Sequence, residues 1–166
     1  MATKHLFNKS AQDKIKELAE AIDFTMLATN LSKRPIHAIP MSTKKVDENG
    51  NIWFLSNKHS THNANIHIDE EIHLFYAKAM SMEFMNVYGT AEILEDRSII
   101  SKFYQKSDDN WFNGENDPNI TAIKVTPKDA HYWDTKNNML ISLFKMGIGA
   151  FTGEKPDLGE EGKLTI

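Results

Sequence analysis

Apolar positions recur along this chain with two different spacings, and the spacings mark out its elements. Ile15, Leu18, Ala19 and Ile22 stand at i, i+3, i+4 and i+7, one apolar stripe of an amphipathic helix. Ser10, with Asp13 three positions on, supplies an N-cap, so the helix is expected over about residues 10–22. After Asp23 the period falls to two: Phe24, Met26 and Ala28 alternate with their neighbours as in a half-buried strand. Residues 30–34 are turn-like, and residues 35–45 form a second expected strand. Asp47-Glu48-Asn49-Gly50-Asn51 is the clearest hairpin signal, because Asn-Gly tolerates the positive φ of a tight turn. The returning strand is residues 52–56.

Downstream, residues 60–68 suit a short helix capped by Ser60. Ile72, Leu74 and Tyr76 alternate with His73, Phe75 and Ala77, a strand expected to be covered on both faces. Residues 82–94 form a long strand in which Gly89 marks a bulge or a close backbone approach. A helix over residues 95–105 buries Ile99, Ile100, Phe103 and Tyr104, and a polar loop follows. Two more strands are expected at 120–127 and 130–134. A helix at 139–145 and a glycine-rich stretch complete a C-terminal helix and tail over about 137–166. No repeat or linker interrupts the pattern, so one domain over 1–166 is expected. Hairpin-linked strands with few helices imply a mainly β fold, an antiparallel barrel or sandwich with short peripheral helices. The regular strand–helix alternation of a parallel dinucleotide-binding sheet is missing.

Composition narrows the chemistry. The 166 residues are 40% hydrophobic and 25% charged, ordinary for a globular chain. There is no cysteine, which removes disulfides, thiolate metal sites and a cysteine nucleophile together. With 19 basic and 23 acidic side chains the net charge is -4, so no electrostatic case for nucleic acid arises. No apolar run reaches a membrane span. Residues 1–11 lack a secretion signal's apolar core, and a cytoplasmic location is expected.

Three constellations could carry function. The run Gly147-Ile148-Gly149-Ala150-Phe151-Thr152-Gly153 misses both nucleotide-loop templates and suits a helix C-cap and tail. His59 and His62 are three apart, but no closed ligand set accompanies them and no metal is expected. No Gly-x-Ser-x-Gly elbow marks a hydrolase serine. The informative stretch is Trp53-Phe54-Leu55-Ser56-Asn57-Lys58-His59-Ser60-Thr61-His62. A strand ends in a hydroxyl residue, and a polar turn delivers Ser60, Thr61 and His62 to the start of a helix. Hydroxyls, free helix N–H groups and a nearby cation are what a phosphate needs, although strand, turn and capped helix are also plain architecture.

The order of several short pieces resembles the pyridoxamine 5′-phosphate oxidase-like flavoproteins, in particular their bacterial general stress protein branch. These pieces are Ile39-Pro40-Met41-Ser42, Trp53-Phe54-Leu55-Ser56 with Ser60 beyond it, Val87-Tyr88-Gly89-Thr90-Ala91-Glu92, Trp111-Phe112, Ala130-His131-Tyr132-Trp133-Asp134, and Phe151-Thr152-Gly153-Glu154-Lys155-Pro156. The resemblance implies an antiparallel split β-barrel that forms a homodimer and binds flavin mononucleotide (FMN), or flavin adenine dinucleotide (FAD) as the variant, between subunits. It implies that Pro40, Met41 and Ser42 lie along the flavin ring with Lys44 close by, and that Leu55 and Ser56 lie beside the ribityl chain and phosphate. Ser60, Thr61 and His62 correspond to the phosphate turn, Trp133 to an aromatic that approaches the cofactor, and Trp111 to a second cleft residue. For both tryptophans, barrel core is the competing assignment.

Departures from the pattern matter. Many relatives carry arginine where Ile39 stands and lysine where His62 stands, and a glutamine of the true oxidases corresponds to Phe84. Only Arg34 and Arg97 are arginines. The stretch after Trp133 lacks the basic substrate motif, so oxidation of pyridoxamine phosphate itself is not expected. The resemblance therefore implies an FMN-dependent oxidoreductase for a small substrate, related to general stress. The alternative is a non-catalytic module that binds or senses flavin.

Overall fold

The computed structural model describes residues 2–135 and 159–166. Its elements are β1 (Ala2–Thr3), β2 (Leu6–Phe7), α1 (Asn8–Ile22), β3 (Phe24–Thr29), β4 (His37–Ser42), β5 (Lys45–Val46), β6 (Ile52–Asn57), α2 (Thr61–Ile68), β7 (Glu71–Lys78), β8 (Glu83–Leu94), α3 (Arg97–Phe103), a 3-10 turn (Lys106–Asn110), β9 (Ile120–Asp134) and β10 (Glu160–Thr165). The fold is an antiparallel split β-barrel with peripheral helices.

The long strand β9 explains the split. One edge pairs with β8 along nearly its whole length. The other edge is divided, with residues 120–125 pairing with β6 and residues 129–134 with β10. From β8 the sheet continues antiparallel through β7, β3 and β4. It turns back towards β6 where the Lys44 N–H donates to the Trp53 carbonyl at 2.7 Å. Upstream of that bond β4 has no ladder to β6 among the described residues, and a cleft opens between them.

Alternation along the strands fills the barrel with Leu27, Phe54, Ile72, Leu74, Val87, Ile123 and Val125, over which α1 lays Ile15, Leu18, Ala19 and Ile22. The unbroken run Ile52-Trp53-Phe54-Leu55 is buried on both faces of β6. Phe54 points into the barrel, while Trp53 and Leu55 join Ile100 and Phe103 of α3 in a second cluster. The hairpin at Asn49-Gly50 forms as expected, with Gly50 at φ 82°. Gly89 sits at a register break, where an added Cβ would lie 2.3 Å from the Thr126 carbonyl oxygen.

Several expectations change. The first helix begins at Asn8, and Ser10 is its third residue, bonded back to the Phe7 backbone. The strand expected over 35–45 breaks in two at Thr43, whose N–H turns aside to the Asp23 carbonyl. In β3 it is Thr25 and Leu27 that face inward, because their register partners are Tyr76 and Leu74. Phe24 and Met26 point outward, 62% and 41% exposed. Among the described residues nothing fully covers the outer face of β7, and Phe75 is 44% exposed. The strands expected at 120–127 and 130–134 are one strand, since Lys128 bulges between the pairs Gly89–Pro127 and Tyr88–Asp129 without ending the ladder. The expected tail ends in β10, a strand of the sheet, joined in parallel to β1 and β2. The helix expected at 139–145 and the stretches 147–153 and 151–156 lie outside the described residues. Among the described residues, no helix is long and apolar enough to cross a membrane.

Candidate functional site

The cleft beside the split has a volume of about 340 Å³ and is lined by Phe24, Pro40, Met41, Ser42, Lys44, Leu55, Asn57, Asp108, Trp111 and Phe112. Each wall follows from a backbone constraint. Pro40, which has no N–H to give, sits in β4, whose far edge makes no ladder. Leu55 and Asn57 come from the end of β6. Trp111 and Phe112 follow the 3-10 turn, and both of their N–H groups donate to the Asp108 carbonyl, at 2.9 and 3.0 Å. Trp111 is 81% exposed, so it stands at the cleft's mouth and is not barrel core.

The cation of the cleft is not free. Lys44 Nζ is paired with the Asp108 carboxylate, and both side chains are about nine-tenths buried. The other Asp108 oxygen accepts the Gln105 N–H at 2.8 Å. Alongside runs a second groove that shares Phe24, Ser42, Lys44, Asp108 and Trp111 and adds Glu20 and Asp23.

Beyond Asn57 the chain turns into α2. Ser60 caps that helix, accepting the Asn63 N–H at 3.3 Å, and its Oγ lies 3.0 Å from His62 Nε2. Thr61 is exposed. The Ser56 hydroxyl is committed elsewhere: it donates to Asn63 Oδ1 at 2.8 Å and lies 2.8 Å from Thr121 Oγ1, in a network closed by Asn63 Nδ2 donating to Thr121. Burial pushes the His62 imidazole down to about 4, and the neighbouring His37 adds to the effect, so His62 is neutral at pH 7. Among the described residues the buried Nδ1 of His37 has no partner.

Of the expected site residues, Pro40, Met41, Ser42, Lys44, Leu55 and Trp111 meet in one cleft. Ser60, Thr61 and His62 gather at the turn that leads out of it, and Ser56 lies inside the barrel wall between the two groups. Trp133 is apart from both. It is half-buried on β9, opposite Phe84 and Glu161, with its ring 4.5 Å from that of His131.

The sequence profile described as pyridoxamine 5′-phosphate oxidase like matches residues 10–157. The chain belongs to this oxidase-like family. A curated relative, protein bli-3 of Neurospora crassa, is 26% identical over 142 residues, covering 79% of this chain and 68% of that protein. A crystal structure of a candidate general stress protein 26 from a Jannaschia species superposes with a TM-score of 0.75 at 23% identity, covering 95% of this chain and 96% of that one. The general stress FMN/FAD binding protein of Xanthomonas citri superposes with a TM-score of 0.66 at 18% identity, over 80% and 94% of the two chains. These likenesses show a split barrel of the oxidase-like family.

Phe24, Asn57, Asp108 and Phe112 also line the cleft, beyond the residues expected there. Phe24 had a usable signal, a large aromatic at the start of a strand whose other face is filled. Asp108 had none, since its partner Lys44 is 64 positions away.

Proposed function

We propose that this protein binds FMN in the cleft, FAD being the larger variant, and acts as a homodimeric flavin oxidoreductase on a small substrate in a general stress role. The observation that carries this reading is the meeting of Pro40, Met41, Ser42, Leu55 and Trp111 around one apolar cleft that leads to the Ser60 turn. The cleft suits a planar ring. The turn brings the start of α2 and the exposed Thr61 hydroxyl to the end of the cleft. Bound flavin would supply hydride or electron chemistry, while the protein orients it and excludes water.

The outer face of the sheet supports a second copy as partner. Met26 of β3 stands directly opposite Phe75 of β7, and both are exposed. This pair supports an interface there, because a symmetric pair of copies would cover it on both chains at once. Delivery by the second copy also suits Trp133, which is remote from the cleft of its own chain.

Absorption spectra of the purified protein, before and after adding FMN, test the ligand: flavin bands that stay with the protein through gel filtration are expected. Oxidation of reduced nicotinamide by the loaded protein separates an enzyme from a module that only stores or senses flavin. Met26→Asp with Phe75→Asp should give a monomer by sedimentation and lose retained flavin. A monomer that keeps flavin tightly would overturn the shared site.

A further inference from the structure

We propose that Asp108 sets substrate specificity: by neutralising Lys44 it makes the cleft select uncharged planar molecules and reject anions. The inference rests on the flavin reading above, with the substrate entering the same cleft. Lys44 is the one basic residue among the described residues that line the cleft, and an exposed ammonium there would draw carboxylates or phosphates. Instead its Nζ is paired with Asp108 in a nearly closed setting, where removing either charge leaves the other uncompensated. Of the other described lining residues, Phe24, Pro40, Met41, Leu55, Trp111 and Phe112 are apolar, and Ser42 and Asn57 are polar but uncharged.

Asp108 is itself held on both sides. Its second carboxylate oxygen takes the Gln105 N–H, and its carbonyl takes the N–H groups of Trp111 and Phe112. The residue that cancels the cation therefore also anchors the aromatic wall, which keeps neutralisation and ring recognition in one place. The neighbouring groove adds two carboxylates. Asp23 accepts the Ser42 hydroxyl at 3.1 Å, and Glu20 accepts the Val46 N–H at 3.1 Å. An approaching anion thus meets three carboxylates and a lysine already engaged.

The test is calorimetric titration of the purified protein with benzamide and benzoate, matched in shape and different in charge. Wild type should bind benzamide at least about tenfold tighter than benzoate. Asp108→Asn should cut that ratio by at least about tenfold, and Lys44→Met combined with Asp108→Asn should restore it. Equal or tighter binding of benzoate by wild type overturns the proposal, as does an unchanged ratio in folded Asp108→Asn. If that variant does not fold, wild type still decides. Benzoate binding should be insensitive to salt between about 20 and 500 mM, whereas affinity that falls with salt reveals a free Lys44 and sinks the idea. Absence of flavin bands would refute the flavin reading, and the benzamide-to-benzoate ratio still reads the Lys44–Asp108 pair in that event.

Discussion

The two ends of the site are built on different principles. At the cleft, strand register and the β4–β6 divergence place Pro40, Met41 and Leu55, and the Lys44 cation is cancelled inside the wall. At the α2 turn, polar side chains dominate, but most of their capacity is used internally: Ser56 in the Asn63–Thr121 network, Ser60 as a helix cap, His62 kept neutral by burial. The contrast teaches that the shape of a site can follow from the backbone ladder alone, whereas its charge is decided residue by residue. A family resemblance therefore transmits the first more faithfully than the second.

The strongest way to break the contrast is through the network that joins the two ends. Asn63 is fully buried and bonded to both Ser56 and Thr121. Asn63→Leu removes two buried hydrogen bonds, leaves the Ser56 and Thr121 hydroxyls with only each other and the Ser56 carbonyl, and should cost about 2–4 kcal/mol in urea denaturation. A loss under about 1 kcal/mol would show that the network is dispensable and that α2 is held by apolar contact alone.

Next comes the phosphate turn. Ser60→Ala with His62→Ala should weaken FMN binding by about 1–3 kcal/mol and riboflavin binding far less, since riboflavin lacks the phosphate. Equal losses for both ligands would place the phosphate elsewhere. Because Ser60 is also a helix cap, about 1 kcal/mol of global stability should go with it, and a melting curve separates the two effects.

The third test uses pH. His62 is held below its ordinary range in the folded state, so the unfolded chain binds the extra proton between pH 6.5 and about 4. Stability from this group is complete above pH 6.5 and falls as the pH drops through that window. After allowance for solvent screening the loss is about 1–2 kcal/mol. His62→Gln should flatten the slope, and an unchanged pH profile would assign acid sensitivity to other groups.

The smallest effect belongs to the cleft's mouth. Trp111→Ala should change stability by less than about 0.5 kcal/mol, since the indole is largely in solvent, yet weaken ring binding measurably. A large stability loss would make Trp111 part of the frame.

How much was legible in the sequence follows the same division. The α1 stripe, the Asn49-Gly50 hairpin, the Ser60 cap and the Gly89 irregularity are local signals, written within one turn or one ladder step. The orientation of β3 was not legible, because alternation reveals two faces but not which one the barrel fills, and long-range pairing with Leu74 and Tyr76 decides it. β10 escaped notice because Glu160-Glu161-Gly162-Lys163 looks polar and flexible. It becomes a strand by pairing with β9, and Gly162 is needed where the Lys4 backbone passes against it. Among the candidate residues, the succession of motifs located the cleft, but nothing in it foretold that Ser56 faces inward or that Lys44 has a carboxylate partner.

The three tryptophans occupy three different surroundings, and this gives the molecule a built-in optical readout. Trp53 is buried, with its ring N–H donating to Asp47 at 2.8 Å, whereas Trp133 is half-covered and Trp111 is largely in solvent. Their emission should therefore divide into a blue component that acrylamide hardly quenches and a red component that it quenches readily. Filling the cleft with a ligand that does not absorb the emission, such as benzamide, should shift and protect only the red component, while unfolding should move the blue one. One spectrum thereby tells occupancy from denaturation, with no label added.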